Sequence, residues 1–221
     1  KSADEILSSY LYPAAERLKA EKAISDYFFI RYTDPKFHIR FRFHVPDVQN
    51  YGNVFRAMND CLSPCMERAV IWNVLCDTYQ REIERYGASS MELSERLFGV
   101  DSRYTLALLG LLAGSPTAEQ DRWQLSLRLI DDTLSVFGYA AEDKKELLEK
   151  MSVGFKTEFG FTGSTFNKQL NDKFRMQRKS VEGVFDPQAD PLGAYADPLE
   201  MRLREMESLV VQVSPLIEQE S

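Results

Sequence analysis

Histidine is nearly missing from this chain: His38 and His44 are the only two among 221 residues. Histidine-cluster metal catalysis and a histidine-based triad therefore have little material to work with. Cysteine is scarce as well. Cys61, Cys65 and Cys76 make an odd set, and Cys61-x-x-x-Cys65 lacks the second ligand pair of a zinc site, so the three read as buried or idle thiols. Positive charge is in deficit, with 27 basic against 34 acidic residues and a net charge of -7, which argues against a nucleic-acid or anionic-membrane surface as the main function. No apolar run reaches the roughly 18 residues of a membrane span. The opening KSADEILSSYLYPAAERLKAEKA reads as an amphipathic helix rather than a signal peptide. Phosphate loops, nucleotide-fold fingerprints and nucleophile elbows are missing too. The expectation is a soluble, cytoplasmic protein with no cofactor, whose chemistry rests on arginines, carboxylates and hydroxyls.

At 44% hydrophobic residues the chain has enough apolar material for a real core. Ile6, Leu7, Tyr10, Leu11, Ala14, Ala15 and Leu18 recur at helical spacing over Ala3 to Ala23, with Pro13 set to kink that helix or start a second. Tyr27 to Tyr32 is a compact aromatic and β-branched run, followed by the turn residues Thr33-Asp34-Pro35-Lys36. In Phe37 to Val45, Phe37, Ile39, Phe41, Phe43 and Val45 alternate with His38, Arg40, Arg42 and His44, the clearest strand pattern in the chain. Period two puts the aromatics on one face and Arg40 with Arg42 on the other. These two runs are expected to pair antiparallel, the Phe41 and Phe43 side packed on helices and the arginine side open to a cleft.

Val48 to about Asp60 looks helical, with Pro64 interrupting it, and AVIWNVLCDTY from Ala69 to Tyr79 suggests a third strand. Helical periodicity then covers Met91 to Leu97, Tyr104 to Ala113, Thr117 to Phe137, Ala141 to Phe159, Ser164 to about Val184 and Pro198 to Ile217. Strands first and helices second argue for an α+β fold, an antiparallel sheet from the N-terminal part covered by a helical C-terminal part. DPQADPLGAYAD, from Asp186 to Asp197, reads as a connection between helices.

Three charged groups stand out: Arg40 with Arg42, the segment Tyr79-Gln80-Arg81-Glu82-Ile83-Glu84-Arg85-Tyr86-Gly87, and Asp101-Ser102. In a helical turn Glu82 and Arg85 lie at i and i+3, with Gly87 ending the turn. Each group has a plain alternative. The strand arginines can be a solvated face, Glu82 and Arg85 an ordinary surface pair, and Asp101-Ser102 the N-cap of the Tyr104 helix. His38, on the arginine face, fits a hydrogen-bonded structural role.

Phe28-Phe29-Ile30-Arg31-Tyr32-Thr33-Asp34-Pro35 with His38-Ile39-Arg40-Phe41-Arg42-Phe43 resembles the FFIRY-DP--HIRLRF block of the lantibiotic dehydratase C-terminal family, also called the thiopeptide-type bacteriocin biosynthesis domain. Tyr79 to Gly87 resembles its Y-RE-ERYGG segment and Met91 to Ser102 its ME-SE-LF--DS segment, in the same order. The likeness runs more loosely through Leu170 to Arg175. It implies removal of glutamate from glutamylated Ser or Thr of a ribosomal precursor peptide, giving dehydroalanine or dehydrobutyrine. A glutamylation domain or subunit, fed by glutamyl-tRNA, is the implied partner. Carried over by position, the family's catalytic residues fall on Arg40, Arg42, Glu82 and Arg85.

The family's closing HM--NR helix, with its catalytic histidine, has no counterpart in Pro215 to Ser221, and no first strand precedes Ala3. The expectation is that residues 1–221 form a single elimination-type domain, either an internal piece of a longer one or a variant lacking that histidine; the first is preferred, and on it activity needs the rest of the domain. Two alternatives stay open: a [4+2] pyridine-forming cyclase, and a non-catalytic domain that binds peptide or supports a glutamylating partner.

Overall fold

A computed structural model of the protein describes residues 2–161, 163–186 and 188–220. The chain begins as a helical run: α1 (Ser2–Glu5), a π-helical stretch (Ile6–Leu11) and α2 (Tyr12–Ala20). Pro13 at the start of α2 has no N–H to give to the turn before it, and the wider π geometry falls on that turn. Leu7, Leu11, Ala15 and Leu18 form the buried stripe that the spacing predicts.

The hairpin follows. β1 (Asp26–Tyr32) pairs antiparallel with β2 (His38–His44) in the register Phe28↔Arg42, Phe29↔Phe41, Ile30↔Arg40, Tyr32↔His38. Opposed residues share a face, so Phe28, Ile30 and Tyr32 lie with Arg40 and Arg42, and Tyr27, Phe29 and Arg31 lie with Phe43, Phe41 and Ile39. Phe41 and Phe43 are half-buried and pack mainly on other rings of their own face: Tyr27 and Phe29 stack on Phe41 at 5.4 and 6.4 Å, and Phe43 lies 5.1 Å from it. Helix contacts on that side are made by Tyr27, whose hydroxyl donates to Glu16 Oε1 of α2 at 2.6 Å, and by Arg31, whose Nη2 pairs with Asp4 Oδ1 of α1 at 2.8 Å. Burial, then that hydrogen bond, hold the Tyr27 phenol well above its ordinary pKa.

After a 3-10 turn (Val48–Asn50), α3 runs from Tyr51 to Glu67 straight through Pro64. Pro64 sits in the last turn, and burial of Leu62 and Cys65 either side of it keeps the helix whole. The third strand expected over Ala69 to Tyr79 does not form. Val70 and Ile71 both donate to the Cys65 carbonyl, and the chain then runs irregularly with Trp72, Val74 and Leu75 exposed. β-propensity makes such a segment extended, but a strand also needs an edge to join. The outer edge of β1 is taken by a helix: α5 (Met91–Ala113) places Ser102 Oγ where it accepts from the Phe29 N–H at 3.1 Å. Tyr79 meets the sheet through its ring, against Phe28, rather than through its backbone.

α5 joins two helices that the periodicity separates. Gly99 lies between them, and a Cβ there would run into the Asp26 carboxylate of β1, so the glycine is a point of close approach rather than a break. Asp101 and Ser102 are mid-helix residues, not an N-cap: Ser102 holds β1, and Asp101 Oδ1 accepts from Arg202 Nη2 and Nε of α9 (Ala196–Glu220) at 2.7 and 3.0 Å. Arg103 pairs with Glu205 of α9 at 2.9 Å.

The chain divides into two compact units, Lys1–Ser115 with Pro198–Ser221, and Pro116–Asp197. The first holds the hairpin and the helices just described. The second is helical, with α6 (Ala118–Val136), α7 (Ala141–Glu158), α8 (Ser164–Phe185) and a 3-10 turn (Gly193–Tyr195). Within it Tyr195 donates to Asp121 Oδ2 at 2.6 Å. The Asp186 to Asp197 loop leads from α8 into α9; its Pro187 lies outside the described residues. The fold is α+β, a two-stranded antiparallel sheet in the N-terminal part and helices in the C-terminal part. Among the described residues no helix is long and apolar enough to cross a membrane.

The three cysteines are free thiols, Cys65 buried and Cys76 exposed. Burial first, and then Cys65, push the Cys61 thiol up to about 11. The folded protein thus favours the protonated form. The stability this contributes is full below the ordinary thiol pKa and is lost as pH rises through about 11. Iodoacetamide at about pH 8 is expected to label Cys76 first and to reach Cys61 and Cys65 slowly until the protein unfolds. Peptide mapping in which Cys61 reacts as fast as Cys76 would contradict this placement.

Candidate functional site

Arg40 is exposed and Arg42 half-buried, on one face of β2. Among the described residues neither is in an ion pair. Each lies over an aromatic ring instead. The Arg40 guanidinium carbon is 4.1 Å from the Tyr32 ring centre, and that of Arg42 is 4.4 Å from Tyr79 and 5.9 Å from Phe28. Arg42 Nε is closed off from solvent and has no hydrogen-bond partner among the described residues.

His38 completes the Arg40 end. Its ring stacks on Tyr32 at 5.2 Å with planes 7° apart, and its Nε2 lies 3.2 Å from Arg40 Nε. Its Nδ1 lies 2.8 Å from the Lys36 carbonyl oxygen. A carbonyl only accepts, so Nδ1 carries the proton and Nε2 accepts from Arg40.

Segment 79–87 is planted on the same aromatic cluster. Tyr79 meets Phe28 edge-on at 5.5 Å, Phe28 meets Phe98 of α5 at 5.6 Å, and Tyr86 meets Phe98 at 5.2 Å. Arg81 clasps Glu95 of α5 through two contacts, one of them Nε to Oε1 at 2.9 Å. Between these anchors lies the short helix α4 (Ile83–Tyr86), with Glu82 at its N-cap and Gly87, at φ 80°, ending it as the sequence predicts. Arg85 Nη1 reaches Glu82 Oε2 at 3.4 Å, both side chains more than half exposed. In that geometry the pair alone is worth a few tenths of a kcal/mol, roughly 0.3–0.5.

Tyr79 links the two groups electrostatically. Burial and the Glu95 charge raise its phenol pKa, Glu82 adds to the rise, and the Arg42 guanidinium opposes it. The structure thus brings Arg40 and Arg42 together on one face and lays Arg42 over Tyr79, the first residue of the segment, while Glu82 and Arg85 pair with each other. Asp101-Ser102 is bound into the scaffold instead. Sequence reasoning missed Phe28, Tyr32 and Tyr79 as part of the arginine face. For the first two the signal was available, since residues at period two on β1 share the face of their β2 partners.

A family model described as lantibiotic biosynthesis dehydratase C-term matches residues 1–220. The chain is 35% identical over 111 residues to nisin biosynthesis protein NisB of Lactococcus lactis subsp. lactis, covering 49% of this chain and 11% of that protein. It is 41% identical over 78 residues to subtilin biosynthesis protein SpaB of Bacillus subtilis, covering 35% of this chain and 8% of that one. The matched stretches span about a tenth of the length of these curated relatives. Among solved structures, the tRNA dependent lantibiotic dehydratase MibB from Microbispora sp. 107891 matches with a TM-score of 0.55 at 24% identity, over 62% of this chain and 13% of that one, a likeness of fold.

Proposed function

Because this chain belongs to the lantibiotic dehydratase C-terminal family, we propose that it carries out the glutamate-eliminating half of peptide dehydration, as part of a longer cytoplasmic polypeptide or complex. The substrate is a ribosomal precursor peptide whose Ser or Thr has been esterified with glutamate by a glutamylating partner. The Cα proton is removed, the Cα–Cβ double bond forms, and the Cβ–O bond breaks so that glutamate leaves as a carboxylate. Negative charge builds on the peptide carbonyl and on the leaving group.

The observation that carries this reading is the pair of guanidiniums on one strand face, neither of them in an ion pair among the described residues. A planar guanidinium offers parallel N–H donors that match a carboxylate or an enolate oxygen. Arg40 and Arg42 are assigned to the glutamyl carboxylate and the carbonyl. Glu82 and Arg85 belong to the same site, where Glu82 orients a guanidinium or moves the proton. Support for one site comes from Tyr79, which lies under Arg42 and responds to the charge of Glu82.

The test is mass spectrometry of a glutamylated peptide incubated with the full-length protein. Loss of glutamate with formation of a dehydroamino acid is the expected result. Formation of a pyridine ring from two dehydroamino acids would assign it to cycloaddition, and retention of an unchanged peptide would make it a binding domain.

A further inference from the structure

We propose that Tyr32 with His38, and Tyr79 with Phe28, are two braces that hold Arg40 and Arg42 in the orientation that meets the substrate; this rests on the elimination reading above. Both guanidiniums lie over tyrosine rings, at 4.1 Å for Arg40 on Tyr32 and 4.4 Å for Arg42 on Tyr79. Arginine has many rotamers, and two like charges two residues apart on one strand face repel. With no acid in an ion pair with either among the described residues, contact with a π face is what fixes each charge.

Each ring is itself tied down, and by a different route. Tyr32 is stacked on His38, which accepts from Arg40 Nε and anchors through Nδ1–H to the Lys36 carbonyl. This brace is closed within the hairpin. Tyr79 meets Phe28 edge-on, and two residues further on Arg81 is clasped by Glu95 of α5, which fixes the backbone that carries the ring. This second brace connects the hairpin to α5 and to the segment that carries Glu82. A carboxylate brace placed on the arginines themselves would compete with the substrate's own carboxylate. An aromatic brace holds a cation from one side and leaves its terminal Nη donors for an anion.

Tyr79 and Tyr32 are therefore positioning residues, and the experiment must separate positioning from plain packing. In the full-length dehydratase acting on a glutamylated peptide, Tyr79→Leu is expected to lower kcat/KM about 5- to 30-fold, with the loss chiefly in kcat. Tyr79→Phe keeps the ring and loses only the hydroxyl, so it should retain more activity than Tyr79→Leu. Combining Tyr79→Leu with Arg42→Ala supplies the decisive readout: with no guanidinium to hold, the tyrosine change should add little to the arginine change. If Tyr79→Leu costs the same factor with and without Arg42, its role is packing and the brace is overturned. Should Tyr79→Leu fail to fold, Glu95→Gln and His38→Ala probe each tether with the rings in place, and normal kcat in both overturns the proposal. An Arg42→Ala enzyme that eliminates at the normal rate would instead sink the elimination reading, while a slow Arg42→Ala beside a normal Tyr79→Leu sinks the brace alone.

Discussion

In the full-length protein, Arg42→Ala is expected to leave the glutamylated peptide to accumulate, with glutamate release slowed about 100- to 1000-fold, the usual cost of losing one donor aimed at developing charge. Arg40→Ala should act in the same direction. The reason is where the charge goes: as the Cβ–O bond breaks, a carboxylate forms that a fixed guanidinium stabilises more than it does the neutral ester. Protein levels should hold, because Arg40 is exposed, Arg42 is half-buried, and neither is in an ion pair among the described residues. Arg42→Lys should recover little, since an ammonium gives neither the flat contact with Tyr79 nor two parallel donors. Intact-mass analysis of peptide recovered from each variant reads the outcome directly. Complete dehydration by both alanine variants, at wild-type protein levels, would rule out the assignment.

The second large effect falls on stability. Arg202 has a side chain only 3% exposed, and Asp101 accepts from it through two nitrogens. Asp101→Ala should destabilise the protein by about 2–3 kcal/mol, the scale of a charged hydrogen bond whose buried partner is left short of its acceptor. The figure lies at the low end for buried pairs because Asp101 itself is half exposed and Arg202 makes a further contact. Thermal unfolding should show a melting temperature lower by several degrees, while the elimination rate per folded molecule below that temperature stays at the wild-type value. A variant with normal stability and no turnover would move Asp101 from the scaffold into the chemistry.

The hairpin was legible because alternation is a property of a single strand: His38 to His44 declares which side chains share a face before any partner is known. The arginine pair was legible for the same reason, and the family likeness then attached Glu82 and Arg85. What the sequence could not give was partnership. Ala69 to Tyr79 has the residues of a strand, but whether it pairs depends on which edges are free, and α5 had already taken the outer edge of β1. Gly99 was misleading in the same way, since glycine within a helical pattern costs about 1 kcal/mol by propensity and suggests an end. Its reason for being there is the Asp26 carboxylate, a contact from a residue seventy-three positions earlier in the chain. Tyr79 looked like the first letter of a charged motif, and only the folded chain puts its ring under Arg42.

The hydrogen bond from Phe29 N–H to Ser102 sets how far this sheet can grow. A helix in the place of a strand caps one side, so among the described residues the edge left open to another strand is that of β2. Two strands joined β2 to β2 would be related by a twofold axis, each using the same edge as the other, which leaves no open edge among the described strands. The cap on β1 thus makes this hairpin one-sided: a strand can be added along β2 and not along β1.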